Sequence, residues 1–276
     1  MEGGTYLRSY DGITFTDNTN PATVSTFALD KYEVTVGRFR PFVKDAVDNF
    51  WRPENGAGIH THLNGGQGLV DSSGDGSTYE QGWISAYADL IPATQGDWDM
   101  ALQCGGDATW TTSPGATEAY PVNCVTWEQA YAFCIWDGGF LPSESEWNYA
   151  ASGGSEQRAY AWSNPPTSQL IDCTYANYNG PCVGHAGPVG ADPNGNGRWG
   201  QADLTGNVFE WTLDYFAAYV SPCLDCAYLS STLDNTRTIR GQDWTYPAGQ
   251  EYVSTRTDDP DSTVYKDDGF RCARAP

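Results

Sequence analysis

Eight cysteines carry the most direct chemistry in this chain: Cys104, Cys124, Cys134, Cys173, Cys182, Cys223, Cys226 and Cys272. A structural zinc site needs two closely spaced pairs, and only Cys223-Leu-Asp-Cys226 has that spacing. The even count, with only three histidines available to complete a metal set, makes disulfides the leading reading and implies an oxidising compartment.

The histidines are His60, His62 and His185. His60-Thr-His62 offers two imidazoles and His185 a third, although histidines in a Gly-rich loop are usually plain loop residues. Carboxylates are the other candidates. Asp71-Ser-Ser-Gly-Asp75-Gly76 opens like a calcium loop, but Gly82 stands where the closing acid belongs, so it reads as a solvated turn. Asp192-x-Asn194-x-Asn196-Gly197, followed by Asp203, fits the same spacing with Asp in place of the final Glu. Pro193 and the lack of flanking helices favour a simple turn there too. Asp243, Glu251, Asp258 and Asp259 make a third group. They suit a hard metal or general acid/base work, set against the default of solvated loop acids.

The composition narrows these options. Acids outnumber bases 35 to 14, a net charge of −21, which argues against nucleic acid and anionic membranes and is compatible with calcium. No apolar run is long enough to span a bilayer. The first residues are not a signal peptide, so the expectation for an exported chain is that its signal has been trimmed. With 11 Trp, 17 Tyr, 10 Phe, 31 Gly and 16 Pro, the core is expected to be built from rings held by loops.

The elements that would position these residues are read from local signals. Residues 1–34 read as extended chain. Thr35 caps a helix carrying Val36, Phe39, Val43 and Val47, which Pro41 is expected to kink or shorten. Residues 52–120 read as long loops with little regular structure. Thr126-x-x-Gln129 is a capping box with Val125 and Ala130 as staple, and Gly138-Gly139 ends that helix. Ser143-x-x-Glu146 opens a second helix through Ala151. Residues 155–276 read as loops and short strands. Without repeats or a clear linker, residues 1–276 are read as a single domain.

Several segments resemble one family in order along residues 29–274, that of formylglycine-generating enzymes (sulfatase-modifying factors). They are Leu29-Asp-Lys-Tyr-Glu-Val-Thr-Val-Gly-Arg-Phe39, Pro121-Val-Asn-Cys-Val-Thr-Trp-Glu-Gln-Ala130, Cys134 through Trp147, Gly206-Asn-Val-Phe-Glu-Trp211, Arg240-Gly241 and Gly269-Phe-Arg-Cys272. The resemblance implies an α+β, C-type-lectin-like fold, loop-rich and stapled by disulfides. It implies that Cys134 pairs with Cys272. Proximity then suggests Cys104–Cys124, Cys173–Cys182 and Cys223–Cys226, with free thiols or a redox pair as the alternative for the last.

The family's enzymes oxidise a substrate cysteine to formylglycine with oxygen, using two thiolates that hold copper(I), a soft ion. Here the segment from Arg240 to Arg256 contains no cysteine; Tyr246 matches the first position and the second lies near Glu251. Gln242-Asp243 also replaces the usual Gly-Ser. Formylglycine synthesis is therefore not expected. The resemblance also implies calcium, bound by Asp203, the carbonyls of Gly206 and Val208, and Glu210, against the alternative that Glu210 forms only a local salt bridge. A further calcium site would begin at Asn177 and the Tyr178 carbonyl, but its remaining positions fall in a shortened stretch around Cys182 to Gly187.

Three functions follow as expectations. The first is an extracellular or periplasmic, calcium-stabilised module that binds a protein, peptide or glycan through Trp244, Tyr246, Glu251, Tyr252 and Tyr265, with Trp244 and Tyr252 alternatively core rings. One version of it diversifies residues 243–265 between copies. The second is a metal-dependent oxidase or oxygenase with altered chemistry. The third is a purely structural extracellular module.

Overall fold

A computed structural model describes residues 1–179 and 182–276. The chain opens with β1 (Gly4–Leu7), β2 (Pro21–Val24) and β3 (Ala28–Leu29), followed by α1 (Val36–Asp48). Thr35 caps α1 by accepting from the Arg38 amide, and Pro41 lies inside the helix, which continues to Asp48. Pro41 therefore does not shorten α1: Phe39, Phe42, Val43 and Ala46 bury one face of it on both sides of the proline.

The stretch 52–120 contains more order than its composition suggests. It holds the short strand β4 (Val70–Asp71) and the helix α2 (Gln95–Ala101), whose cap Thr94 accepts from the Asp97 amide. That Thr-x-x-Asp start is a helix signal concealed by the Gly-rich surroundings. Trp98 anchors α2 against Phe39 and Phe42, with edge-to-face ring separations of 5.7 and 5.6 Å.

Then come α3 (Trp127–Trp136) and α4 (Glu144–Ala151), each with both halves of its capping box formed, as their sequences predict. Every residue of α4 is buried. A buried helix requires partners for its polar side chains, among them Glu144, Glu146 and Asn148. Glu144 meets Arg240, Arg256 and the Tyr219 hydroxyl. Asn148 donates to the Val253 carbonyl and accepts from the Ser9 amide. Glu146 closes the capping box and also meets His60 Nε2 at 3.1 Å, while His60 Nδ1 lies 2.9 Å from Glu80. His60 thus sits in irregular chain but is not a solvent-facing imidazole. It is fully buried between two carboxylates, with the Phe140 ring 3.7 Å away. Burial alone would lower its pKa, but Glu80 and Glu146 override this and lift it to about 10.

The remaining strands are β5 (Phe209–Tyr215), β6 (Cys223–Leu224), β7 (Cys226–Ala227), β8 (Thr236–Arg240), β9 (Thr257–Pro260), β10 (Asp268–Gly269) and β11 (Ala273–Arg274). The largest sheet has the order β10-β5-β8-β9, with β5 and β8 buried throughout. Three smaller sheets pair β1-β2-β6, β11-β3 and β4-β7. All eight cysteines form disulfides: Cys104–Cys124, Cys134–Cys272, Cys173–Cys182 and Cys223–Cys226. Cys134–Cys272 ties α3 to the chain just before β11, across 138 residues.

Candidate functional site

Two neighbouring groups of oxygen-bearing side chains lie where β5 and β8 meet the irregular chain. The first surrounds the turn before β5. Gly206 there has φ +78°, and a Cβ would sit 2.4 Å from the Asn177 carbonyl oxygen, so only glycine fits. Asn207, also left-handed, donates its backbone amide to that same carbonyl at 2.9 Å.

The turn brings Asp203, Asn177 and Asn207 to a cavity of about 80 Å³ that Asp192 also lines. Asp203 accepts from the Gly190 amide at 2.6 Å, and burial holds its carboxyl up at about 6. Asn177 donates to the His185 carbonyl while its own Oδ1 has no partner. Asp192 and Asp203 do share this cavity, but Asn194 turns away to the Thr174 hydroxyl and Pro193–Gly195 forms a 3-10 turn. The calcium-loop spacing therefore folds as a turn.

Glu210 is differently placed. Both its oxygens face Arg271 at 2.6 Å, and Trp147 donates to Oε2 at 2.9 Å. Arg271 also donates to the carbonyls of Ala202 and Asp203. Glu33 was missed by sequence reading. It is buried, accepts from Asn207 Nδ2 at 2.6 Å and has Oε1 unpartnered. Burial, then Asp203 and Glu210, hold its carboxyl well above the usual range. Its one sequence signal was an acid inside the segment Tyr32-Glu33-Val34, whose neighbour Val34 is buried.

Unpartnered oxygens beside an ion-sized cavity suit a hard cation. With Glu210 paired to Arg271, the other carboxyl groups around this turn are Asp203, Glu33 and Asp192. Among the described residues, however, no three His, Cys, Asp or Glu side chains converge in the geometry of a metal site. A cation here would depend on carbonyl and amide oxygens as much as on carboxylates.

The second group follows β8. Gln242 takes a left-handed conformation, and Asp243 is fully buried, with Oδ1 accepting from the Thr245 amide and Oδ2 unpartnered. Burial and the adjacent Asp267 push Asp243 up to about 7. Glu251 has neither oxygen partnered, and burial with Asp243 takes it up to about 10. Burial with Asp267 and Asp258 holds Asp259 near 6. Asp268, buried with both oxygens unpartnered, is raised well above its ordinary value by burial and by Asp259, Asp267 and Asp243. A protonated carboxyl beside an ionised one can donate or accept a proton near neutral pH.

The aromatic residues of this segment divide. Trp244 and Tyr252 are interior rings rather than solvent-facing ones. Trp244 packs on Ala186 and Val208, while Tyr252 lies 5.0 Å from Tyr160 and hydrogen-bonds Gln169. Tyr246 is half-buried, edge-on to Phe209 at 5.4 Å, and Tyr265 is exposed. His60 has both ring nitrogens engaged by carboxylates, and His62 has its ring nitrogens buried without partners.

Comparison with known proteins places this geometry in context. The chain is 28% identical to an inactive C-alpha-formylglycine-generating enzyme 2 of Bos taurus, covering 99% of this chain and 86% of that protein. It is also 28% identical to the formylglycine-generating enzyme of Thermomonospora curvata, over 92% and 83% of the two chains. The solved structure of PvdO from Pseudomonas aeruginosa superposes with a TM-score of 0.67 at 20% identity, over 100% of this chain and 93% of that one. The fold is thus the expected α+β, C-type-lectin-like one. Residues 1–276 match the model of the sulfatase-modifying factor enzyme 1-like domain, and the chain belongs to that formylglycine-generating-enzyme family.

Proposed function

We propose that this domain is a calcium-stabilised module that binds a protein, peptide or glycan outside the cell or in the periplasm, and that it does not make formylglycine. The observation that carries the reading is the state of its sulfur: every cysteine is in a disulfide, and the segment Arg240–Arg256, where Tyr246 matches the family's first thiol position and the second lies near Glu251, contains none. Without a thiolate pair in that segment, the family's soft copper(I) site and its sulfur nucleophile are missing there. Similarity to a relative named as inactive supports the same direction.

Four disulfides favour an oxidising location. Calcium would be held by Asp203, the Gly206 and Val208 carbonyls and Asn177, with the unpartnered Oε1 of Glu33 nearby where Arg271 has taken Glu210. Tyr246 and Tyr265 supply the accessible rings for a ligand, over an interior formed by Trp244, Glu251 and Tyr252.

A second reading, an enzyme with altered chemistry, rests on Asp243 beside Asp267, a carboxyl placed to exchange a proton near neutral pH. Elemental analysis with native mass spectrometry, on protein purified without chelator, separates the two. Stoichiometric calcium without copper or iron supports the module, and stoichiometric copper or iron overturns it. Peptide and glycan arrays then test binding, which Tyr246→Ala and Tyr265→Ala should weaken.

A further inference from the structure

Cys223 and Cys226 close a ring only three residues apart, a span over which a disulfide restrains the unfolded chain least. Its surroundings differ from those of a purely structural link. Cys226 lines a largely apolar cavity of about 360 Å³, walled by Val70, Val220, Pro222 and Leu224, with Asp75 as its one carboxylate. On the other side stands Arg8, buried, with one guanidinium nitrogen 4.0 Å from Cys226 Sγ.

Arg8 has no carboxylate partner among the described residues. It donates to the Val220 carbonyl and the Ser221 hydroxyl and lies 4.4 Å from the Tyr219 ring centre, so no carboxylate is bonded to it directly beside the sulfur. Cys223 Sγ lies 3.5 Å from the Ser145 hydroxyl, which donates to it, since a disulfide sulfur carries no hydrogen. A cation near one sulfur and a hydroxyl donor near the other favour both thiolates of the reduced pair.

From this arrangement we infer that Cys223–Cys226 is a thiol–disulfide exchange site for a cysteine-bearing peptide segment admitted through the cavity. The incoming thiolate, drawn by Arg8, attacks Cys226 Sγ. The Cys226–Cys223 bond breaks as the mixed disulfide forms, and Cys223 leaves as a thiolate hydrogen-bonded by Ser145. A second thiolate of the same segment attacks the mixed disulfide and releases Cys226 as a thiolate beside Arg8. The segment's two thiols are oxidised to one disulfide, and the protein's disulfide takes two electrons and two protons to become a dithiol. Run backwards, the reduced pair cuts a disulfide in the segment, with Cys226 as nucleophile and Cys223 resolving. This goes beyond the binding reading and uses neither the groups around Asp203 nor those after β8.

The test uses the full chain in reduced glutathione, with alkylation at set times, mass spectrometry to locate the label and near-ultraviolet circular dichroism to follow folding. Cys223 and Cys226 are expected to label while the other three disulfides persist and the spectrum is unchanged. Leu224 lines the cavity yet is mostly exposed, so its variants will fold. Leu224→Glu, repelling the anionic thiolate, should slow reduction roughly tenfold, and Leu224→Lys should speed it. In Cys223→Ser, glutathione should remain attached to Cys226. The inference is overturned if this disulfide opens only together with the others, or if its reduction rate is the same in both Leu224 variants.

Discussion

Arg271 and Glu210 form a bidentate ion pair, both contacts at 2.6 Å, with neither side chain reaching solvent. The pair joins β5 to the segment leading into β11, and Arg271 extends it to the carbonyls of Ala202 and Asp203. Removing one partner strands the other's charge in the interior. Arg271→Met or Glu210→Gln is therefore expected to cost about 3–5 kcal/mol in chemical denaturation, whereas breaking a solvent-screened surface pair such as Lys44–Asp48 should leave the unfolding midpoint nearly unchanged.

His60 sets a pH dependence on the alkaline side. Its folded pKa of about 10 lies above the ordinary imidazole value of 6.5, so the folded state binds the proton more tightly. The stabilisation is complete below about pH 6.5 and is lost as pH rises through about 10. His60→Gln should lower stability by about 3–5 kcal/mol at pH 6. It should also flatten the fall between pH 7 and 10, measured by urea unfolding across that range. An unchanged slope in the variant would assign the pH dependence to other groups.

Glu251 gives the opposite mutational sign. Its folded pKa of about 10 exceeds its ordinary 4.5, so between these values folding must take up a proton. Its contribution is most favourable below about pH 4.5 and declines steadily until about pH 10. Glu251→Gln removes that uptake. The variant should be more stable than the parent by roughly 1–3 kcal/mol at pH 8, with the advantage fading near pH 5. A destabilised variant at pH 8 would mean that the carboxylate has a cation partner.

Calcium should raise the melting temperature of chelator-treated protein. At a hundredfold excess over Kd the gain is about 2.7 kcal/mol. Asp203→Ala should abolish the response, measured by differential scanning calorimetry with and without calcium. Magnesium, which demands a tighter octahedral shell, should give a smaller shift.

The disulfides should differ in their contribution to stability according to the loops they close. Replacing Cys134 and Cys272 by Ala is expected to cost about 5 kcal/mol on the chain-entropy relation, and replacing Cys223 and Cys226 about 2 kcal/mol, since their separations are 138 and 3 residues. Equal losses would show that packing around the sulfurs outweighs loop closure.

Legibility in the sequence followed the range of the interaction. The Thr126 and Ser143 capping boxes were readable because both partners lie three residues apart, and α3 and α4 start where those boxes predict. The Cys134–Cys272 link came from a family resemblance, since no local signal joins residues so far apart. The burial of His60 depends on Glu80 and Glu146, which lie 20 and 86 residues away, so its Gly-rich context gave the wrong setting. Trp244 and Tyr252 were candidate ligand contacts because rings beside acids resemble a binding surface; only the fold reveals that Val208 and Tyr160 cover them. Glu33 escaped notice because a lone acid at the end of an extended segment has no pattern to mark it.

The pairing of Ala28–Leu29 with Ala273–Arg274 has a consequence for biosynthesis. A ribosome delivers β3 almost 250 positions before β11. During that interval β3 has no edge partner, Cys134 lacks Cys272, and Glu210 has no Arg271 to neutralise it. These three contacts are expected to close together as one late event, once residues 271–274 have been made, rather than in stages along the emerging polypeptide.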